Sequence, residues 1–138
     1  MSDAYAGGCA CGAVRYEISD APVFSNHCQC LDCQSISGAG HGSYLTFPSR
    51  AKVRLEGQAR EWEMIADSGE AKTRGFCGAC GAPVYQTYPA RPDLFTIHAA
   101  SLDDPARFAP QAVTYAARAH AWDRLDPALP MFAEMPPG

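Results

Sequence analysis

The sequence lacks the features that mark nucleic-acid-binding and membrane-spanning proteins. Its 11 Lys and Arg are outnumbered by 15 Asp and Glu, so the net charge is −4, and no long basic run occurs. Because a nucleic-acid surface needs a basic face, we expect no nucleic-acid partner. No window approaches the roughly 18 apolar residues of a transmembrane helix, so we expect no membrane partner either.

The first residues, Met1 to Tyr5, contain neither a basic start nor an apolar stretch. A secretory signal needs both, so we expect a cytoplasmic protein, whose thiols stay reduced. The length of 138 residues, 47% of them apolar, predicts one domain over residues 1–138. Its core is expected at about residues 7–132, followed by a proline-rich tail.

Helical periodicity is also scarce, whereas alternation of apolar and polar residues is common. Residues 14–18 and 53–56 alternate in the manner of half-buried strands. Five further strands are predicted, at 42–47, 59–65, 84–88, 94–98 and 113–115. One short helix is predicted over 31–37, ending at Gly38. The pattern therefore predicts a mainly β fold with little helix.

The tail from residue 127 onward is rich in proline and has no periodic pattern. We expect it to cross the surface as an irregular strap. Met131 and Phe132, two of its apolar residues, are expected to dock it. From Glu134 onward we expect disorder.

Cysteine is the most informative residue type in this chain. Seven cysteines fall into three tight clusters: Cys9 and Cys11; Cys28, Cys30 and Cys33; Cys77 and Cys80. An odd number excludes a complete set of intramolecular disulfides. Scattered buried thiols would not be grouped in this way. The clusters therefore favour metal sites.

The first and last clusters are each followed directly by glycine. These two pairs are Cys9 and Cys11 before Gly12, and Cys77 and Cys80 before Gly81. Backbone that turns its N–H groups toward metal-bound sulfurs often needs a positive φ, which glycine tolerates. Two such pairs make the usual closed, four-thiolate structural zinc site. The alternative pairs the last cluster with the middle one, and loop-closure entropy separates the two arrangements by only about 0.4 kcal/mol.

The middle cluster places Cys28, Cys30 and Cys33 within six residues. Three protein ligands and one open position are typical of a catalytic zinc, which activates a bound water or thiol. A fourth ligand from His27 or His41 would close the site and make it a second structural centre. His41 follows a stretch of small residues, and we predict it as a substrate-binding residue.

In order, these clusters resemble the glutathione-dependent formaldehyde-activating enzyme (GFA) family. The matching motifs are C-x-C-G at 9–12, H-C-x-C-x-x-C at 27–33, G-F-C-x-x-C-G at 75–81 and L-D-D-P at 102–105. Small residues follow the second motif, and Trp122 ahead of residues 129–132 is similar to the family's ending. The resemblance covers nearly the whole chain.

The resemblance implies a single zinc-centred domain of stacked antiparallel sheets, of the β-tent type. It implies two zinc ions per chain, the second of them labile and held by the catalytic residues Cys28, Cys30 and Cys33. The implied activity is that of a carbon–sulfur lyase, which combines glutathione or another small thiol with formaldehyde. The alternative is a non-catalytic zinc-binding interaction module, because centromere protein V belongs to the same superfamily.

Two further observations bear on this choice and on the substrate. The chain has no long basic or disordered extension of the kind expected of an interaction module, so the enzyme is favoured. Many relatives carry a basic residue just after the third middle cysteine, where this chain has Gln34 and Ser35. An anionic thiol would then need other cations, and Arg15, Arg74 and Arg91 are the candidates.

Overall fold

The computed structural model describes residues 3–136. Within that range the chain forms ten β-strands: β1 Tyr5–Gly8, β2 Arg15–Ile18, β3 Phe24–Cys28, β4 Gly42–Phe47, β5 Val53–Glu56, β6 Arg60–Ile65, β7 Ala71–Phe76, β8 Pro83–Thr87, β9 Phe95–His98 and β10 Ala112–Thr114. One α-helix, α1, spans Leu31–Ser37. Four short 3-10 helices occupy Arg50–Lys52, Ala99–Ser101, Pro105–Arg107 and Ala116–Arg118. None of the helices in this range is long and apolar enough to cross a membrane.

The strands form two sheets. The smaller has the order β1-β2-β5, and the larger has the order β10-β3-β4-β9-β8-β7-β6. Neighbouring strands pair antiparallel except β10, which lies parallel to β3. The prediction of a mainly β fold of stacked, largely antiparallel sheets is therefore confirmed.

The main core lies between the two sheets. Ile18 of the small sheet packs in one cluster with Leu45, Phe47 and Ile97 of the large sheet, and each of them is almost fully buried. A buried side chain of this size contributes roughly 1.5–3 kcal/mol. Because side chains alternate along a strand, Tyr44 on β4 points to the opposite face of the large sheet. The candidate site lies on that opposite face.

The predicted helix is confirmed at both ends. The Cys30 sulfur accepts a hydrogen bond from the backbone N–H of Cys33 at 3.4 Å, and so caps the first turn of α1. At the other end Gly38 adopts a φ of 70°, the left-handed conformation that ends many helices. A cysteine cap at this position joins the start of the helix to the middle cluster.

Seven strands match sequence predictions, and two of these, 42–47 and 53–56, agree at both ends. The sequence analysis missed β1, β3 and β7. Strand β1 contains two glycines, and β7 carries Lys72 and Arg74 at buried positions. A strand is recognised in a sequence by apolar residues at its buried positions. In β7 charged residues occupy buried positions, so the alternation of apolar and polar residues does not reveal it.

The tail forms the predicted irregular strap, and its backbone contacts β10. Met131 pairs in parallel with Val113, and the N–H of Phe132 donates to the Val113 carbonyl at 2.9 Å. The Met131 side chain is 53% exposed, so it does not dock the strap. The expected disorder from Glu134 onward is also wrong for the described part, since the Glu134 carbonyl accepts the Tyr115 N–H at 3.1 Å. The last two residues lie outside the described range.

Candidate metal centres

The first and last cysteine clusters come together in space. Cys9, Cys11, Cys77 and Cys80 have their sulfurs within 4.8 Å of one another. The Cys11 sulfur lies 3.7 Å from the sulfur of Cys9 and 3.7 Å from that of Cys77. Four sulfurs placed tetrahedrally at about 2.3 Å from a zinc ion are roughly 3.8 Å apart. These four residues therefore fit a structural zinc.

Backbone geometry supports this four-thiol set. The N–H of Val14 donates to the Cys9 sulfur at 3.2 Å, which favours the thiolate form. Gly12 and Gly81 have φ values of 83° and 78°. A Cβ atom at either glycine would touch nothing within 4 Å. Glycine is therefore favoured at both positions by the positive φ and not by a shortage of space for a side chain. The predicted conformation of both glycines is confirmed.

The middle cluster forms a second, separate group. Cys28 ends β3, Cys30 caps α1 and Cys33 lies in the first turn of that helix. All three are buried, and their sulfurs lie within 4.8 Å of one another. Across residues 3–136, no histidine or carboxylate joins them as a fourth ligand. This three-thiol set fits a metal with one position left for another ligand.

The two histidines considered as fourth ligands lie elsewhere. Alternation along β3 turns His27 away from Cys28, and its Nδ1 contacts the Ser43 hydroxyl at 2.8 Å. His41 Nδ1 lies 2.9 Å from a carboxylate oxygen of Asp123. His41 is not among the residues that line the cavity beside the three thiols. Its predicted role in substrate binding stays a prediction.

A cavity of about 140 Å³ leads to the three-thiol set, and we call it the thiol cavity. Cys28, Cys30 and Cys33 lie in its wall, together with Tyr44 of β4 and Lys72 of β7. The loop between β6 and β7 forms another part of the wall. Drug-sized ligands occupy pockets of roughly 300–1,000 Å³, so this cavity suits a smaller molecule.

Three polar side chains beside the three thiols lack an ion-pair partner or leave a polar atom without a hydrogen bond. Lys72 is 9% exposed and takes part in none of the ion pairs formed within residues 3–136. Arg74 is 3% exposed; its Nη1 donates to Gln86 at 2.9 Å, but its Nη2 has no hydrogen-bond partner in the described chain. The Tyr44 hydroxyl is also buried without one. Such unsatisfied buried groups are rare, and the electrostatic contacts of Tyr44 and Arg74 with Cys33 connect them to the three-thiol set.

Sequence reasoning named Arg74 but missed Lys72 and Tyr44. The available signal was the spacing of Lys72 and Arg74, because residues two apart on a strand share a face. Of the other predicted cations, Arg15 pairs with Asp103 at 2.6 Å and Arg91 pairs with Glu70 at 2.8 Å. Those two are already neutralised by carboxylates, so the cations facing the thiols come from β7.

The thiols influence one another when no metal is bound. Hydrogen bonds from Cys28 and Cys30 lower the pKa of Cys33, and the positive charge of Lys72 lowers it further. Hydrogen bonds with Cys30 and Cys33 raise the pKa of Cys28. Burial, followed by the negative charge of Cys33, raises the pKa of Tyr44. Without metal, the hydrogen bonds among the thiols thus favour the thiolate form of Cys33, and burial favours the neutral form of Tyr44.

His98 gives a testable pH dependence. Its ring lies 4.9 Å from that of Tyr44, and burial lowers its pKa to about 4, with smaller contributions from Arg74 and Lys72. The neutral form is favoured by folding, so this stability is present above the unfolded pKa of about 6.5 and is lost as the pH falls. Between pH 7.5 and 5.5 we expect the free energy of unfolding to drop by about 1 kcal/mol from this residue.

Urea unfolding of the protein and of His98→Gln at both pH values measures this contribution. Metal release at the lower pH affects both proteins, so the difference between them isolates His98. Equal pH dependence in the two proteins would contradict the assignment.

Comparison with known proteins agrees with this geometry. The family model described as glutathione-dependent formaldehyde-activating enzyme matches residues 4–118. A search of curated proteins found no match. Among solved structures, a Rhodobacter sphaeroides protein from a structural genomics programme aligns with a TM-score of 0.61. It is 19% identical and the alignment covers 79% of this chain and 99% of that one, a likeness that concerns the fold.

Proposed function

Because this chain belongs to the glutathione-dependent formaldehyde-activating enzyme family, we propose that it is a zinc enzyme of the carbon–sulfur lyase type. It joins a small thiol, such as glutathione, to formaldehyde or a related carbonyl compound, and it splits the adduct in reverse. The observation that carries this proposal is the set of three buried thiols opening on the thiol cavity. The four-thiol set takes the structural zinc.

The reaction requires one bond to form and one proton to move. The thiolate sulfur of the substrate attacks the carbonyl carbon, a carbon–sulfur bond forms, and the carbonyl electron pair moves to oxygen. A proton then reaches that oxygen, giving a hydroxymethyl thioether. A zinc ion on Cys28, Cys30 and Cys33 would supply a centre that keeps a bound thiol deprotonated at neutral pH. Holding both reactants in one small cavity contributes much of the rate gain.

The residues around the thiol cavity have the chemistry for the remaining steps. Tyr44 lines the cavity, and its raised pKa keeps the hydroxyl protonated at neutral pH. This hydroxyl is a proton donor for the oxygen that becomes negative when the carbon–sulfur bond forms. Lys72 and Arg74 add positive charge in the same buried region, which stabilises that developing charge.

A cobalt-substituted protein tests the proposal. A sulfur ligand changes the thiolate-to-metal absorption of cobalt, so glutathione or another small thiol is expected to alter the spectrum, whereas S-methylglutathione is not. In parallel, exchange NMR should show that the zinc protein speeds interconversion of thiol, formaldehyde and adduct. The Cys33→Ser variant should lose both effects. A metal-loaded protein that binds no thiol and accelerates nothing would support the non-catalytic module instead.

The setting we propose for this activity is the cytoplasm, without nucleic-acid or membrane partners. Seven free thiols need a reducing compartment to remain available for metal. The net charge of −4 disfavours polyanionic partners. The partner of the site is then a small thiol.

A further inference from the structure

Two buried cations beside the three-thiol set have no carboxylate partner. Arg74 is 3% exposed and Lys72 is 9% exposed. All ion pairs found across residues 3–136 involve other residues. Burying a charge without a counter-charge costs several kcal/mol. The counter-charge for Arg74 and Lys72 must therefore come from the thiols or from a ligand.

The thiols alone supply only part of that counter-charge. Three thiolates on a divalent ion leave one formal negative charge, whereas Arg74 and Lys72 carry two positive charges. One additional thiolate on the same ion makes the charges equal. With a divalent ion bound, the four-thiol set also carries two formal negative charges. Cys11 and Cys80 are exposed there, so water screens that charge. The positive and negative formal charges of the buried three-thiol site are therefore equal when the ligand binds as a thiolate.

The other charged side chains of the cavity wall are already paired, and among them Asp67 lies 3.0 Å from Arg118. The other cation of the wall, Arg91, is bound to Glu70 by two hydrogen bonds of 3.0 and 2.8 Å. Glutathione carries two carboxylates and an ammonium group besides its thiol. A cavity of about 140 Å³ is also below the roughly 300 Å³ at which pockets for drug-sized ligands begin. A tripeptide would therefore extend out of the cavity, and its carboxylates and ammonium group would meet no further unpaired charge in the described wall.

We infer that the thiol cavity takes a small thiol whose body is uncharged, bound as its thiolate, and that Lys72 and Arg74 supply the matching positive charge. This inference rests on the proposed function and narrows its substrate class. Lys72 is in this view a specificity-determining residue that favours a thiolate ligand. A small carbonyl compound completes the reacting pair.

Titration of the cobalt-loaded protein with three thiols tests the inference. The probes are 2-mercaptoethanol, mercaptoacetate and glutathione, each compared at equal thiolate concentration. We expect 2-mercaptoethanol to bind at least about tenfold more tightly than either charged thiol. Lys72→Met should weaken its binding at least about tenfold, because a buried charge loses its partner. Lys72→Arg should restore much of the binding. Lys52→Met is the matched control, since Lys52 is exposed and outside the cavity.

The outcomes separate this inference from the proposed function. If glutathione or mercaptoacetate binds most tightly, and Lys72→Met weakens that binding, Lys72 holds a carboxylate and the inference is wrong. If Lys72→Met leaves all three affinities unchanged, it is also wrong, although the lyase proposal stands. If no thiol alters the cobalt spectrum, the proposed function itself fails. If Lys72→Met does not fold, the order of the three affinities in the unaltered protein still tests the inference, because a preference for either charged thiol would contradict it.

Discussion

Replacing Cys77 with serine is expected to leave no folded protein. Cys77 shares its metal-binding group with Cys9 and Cys11, and Cys11 lies 66 positions earlier in the chain. A structural zinc contributes on the order of 10 kcal/mol in small zinc-binding peptides. The whole free energy of unfolding of a domain is usually about 5–15 kcal/mol. Loss of this site therefore removes most of the stability, which circular dichroism and soluble yield will show.

Cys28→Ser is the matched control for this experiment. It also removes a buried thiol, but one from the three-thiol set. We expect this variant to remain folded while its zinc content falls from about two ions per chain to about one. Mild chelation should likewise remove the less fully ligated zinc first. A Cys77→Ser protein that melts normally would show that the four-thiol set is not structural.

Removal of one oxygen atom in Tyr44→Phe is expected to slow turnover by about 10²–10⁴-fold. The Tyr44 hydroxyl lines the thiol cavity and has no hydrogen-bond partner in the described residues. The hydroxyl makes no hydrogen bond of good geometry, but it does interact with the Cys33 sulfur and with Arg74. We therefore expect its removal to change the free energy of unfolding by no more than about 1 kcal/mol, and the predicted result is a more slowly reacting protein of similar stability. Exchange NMR and thermal unfolding measure the two effects.

Tyr16→Phe provides the comparison. The Tyr16 hydroxyl is buried like that of Tyr44, but it is 2.7 Å from the Ser101 hydroxyl and lies in the main core. Its loss should cost about 1 kcal/mol of stability and leave turnover unchanged. If Tyr44→Phe retained full turnover, the proton would have to come from elsewhere, such as water.

The sequence was sufficient to predict much of the fold and both cysteine groups. Strand β4 and helix α1 were predictable because alternation, a cap and Gly38 act locally. The grouping of Cys9 with Cys77 was predictable because a structural zinc takes four protein ligands and because both cysteine pairs are followed by glycine. These signals depend on residue type and spacing, which a single sequence contains.

The surroundings of the three thiols were not predictable in the same way. Lys72 and Arg74 reach the site because β7 occupies a particular place in the sheet, and strand order depends on tertiary packing. The residue after Cys33 is Gln34 rather than a cation, and its amide donates to the Gln29 carbonyl at 2.8 Å. A substrate-binding charge can come from any strand that borders the cavity, so local spacing does not reveal it.

The positions of the thiols along the chain also set an order of assembly during synthesis. The three-thiol set spans six residues and comes together as soon as β3 and α1 form. The four-thiol set joins Cys11 to Cys77 across 66 positions, so it cannot close until Cys77 and Cys80 have been translated. Until then Cys9 and Cys11 are free to bind the same metal ion as the middle thiols. A nascent chain that meets zinc before Cys80 is made can therefore form a mixed set of ligands.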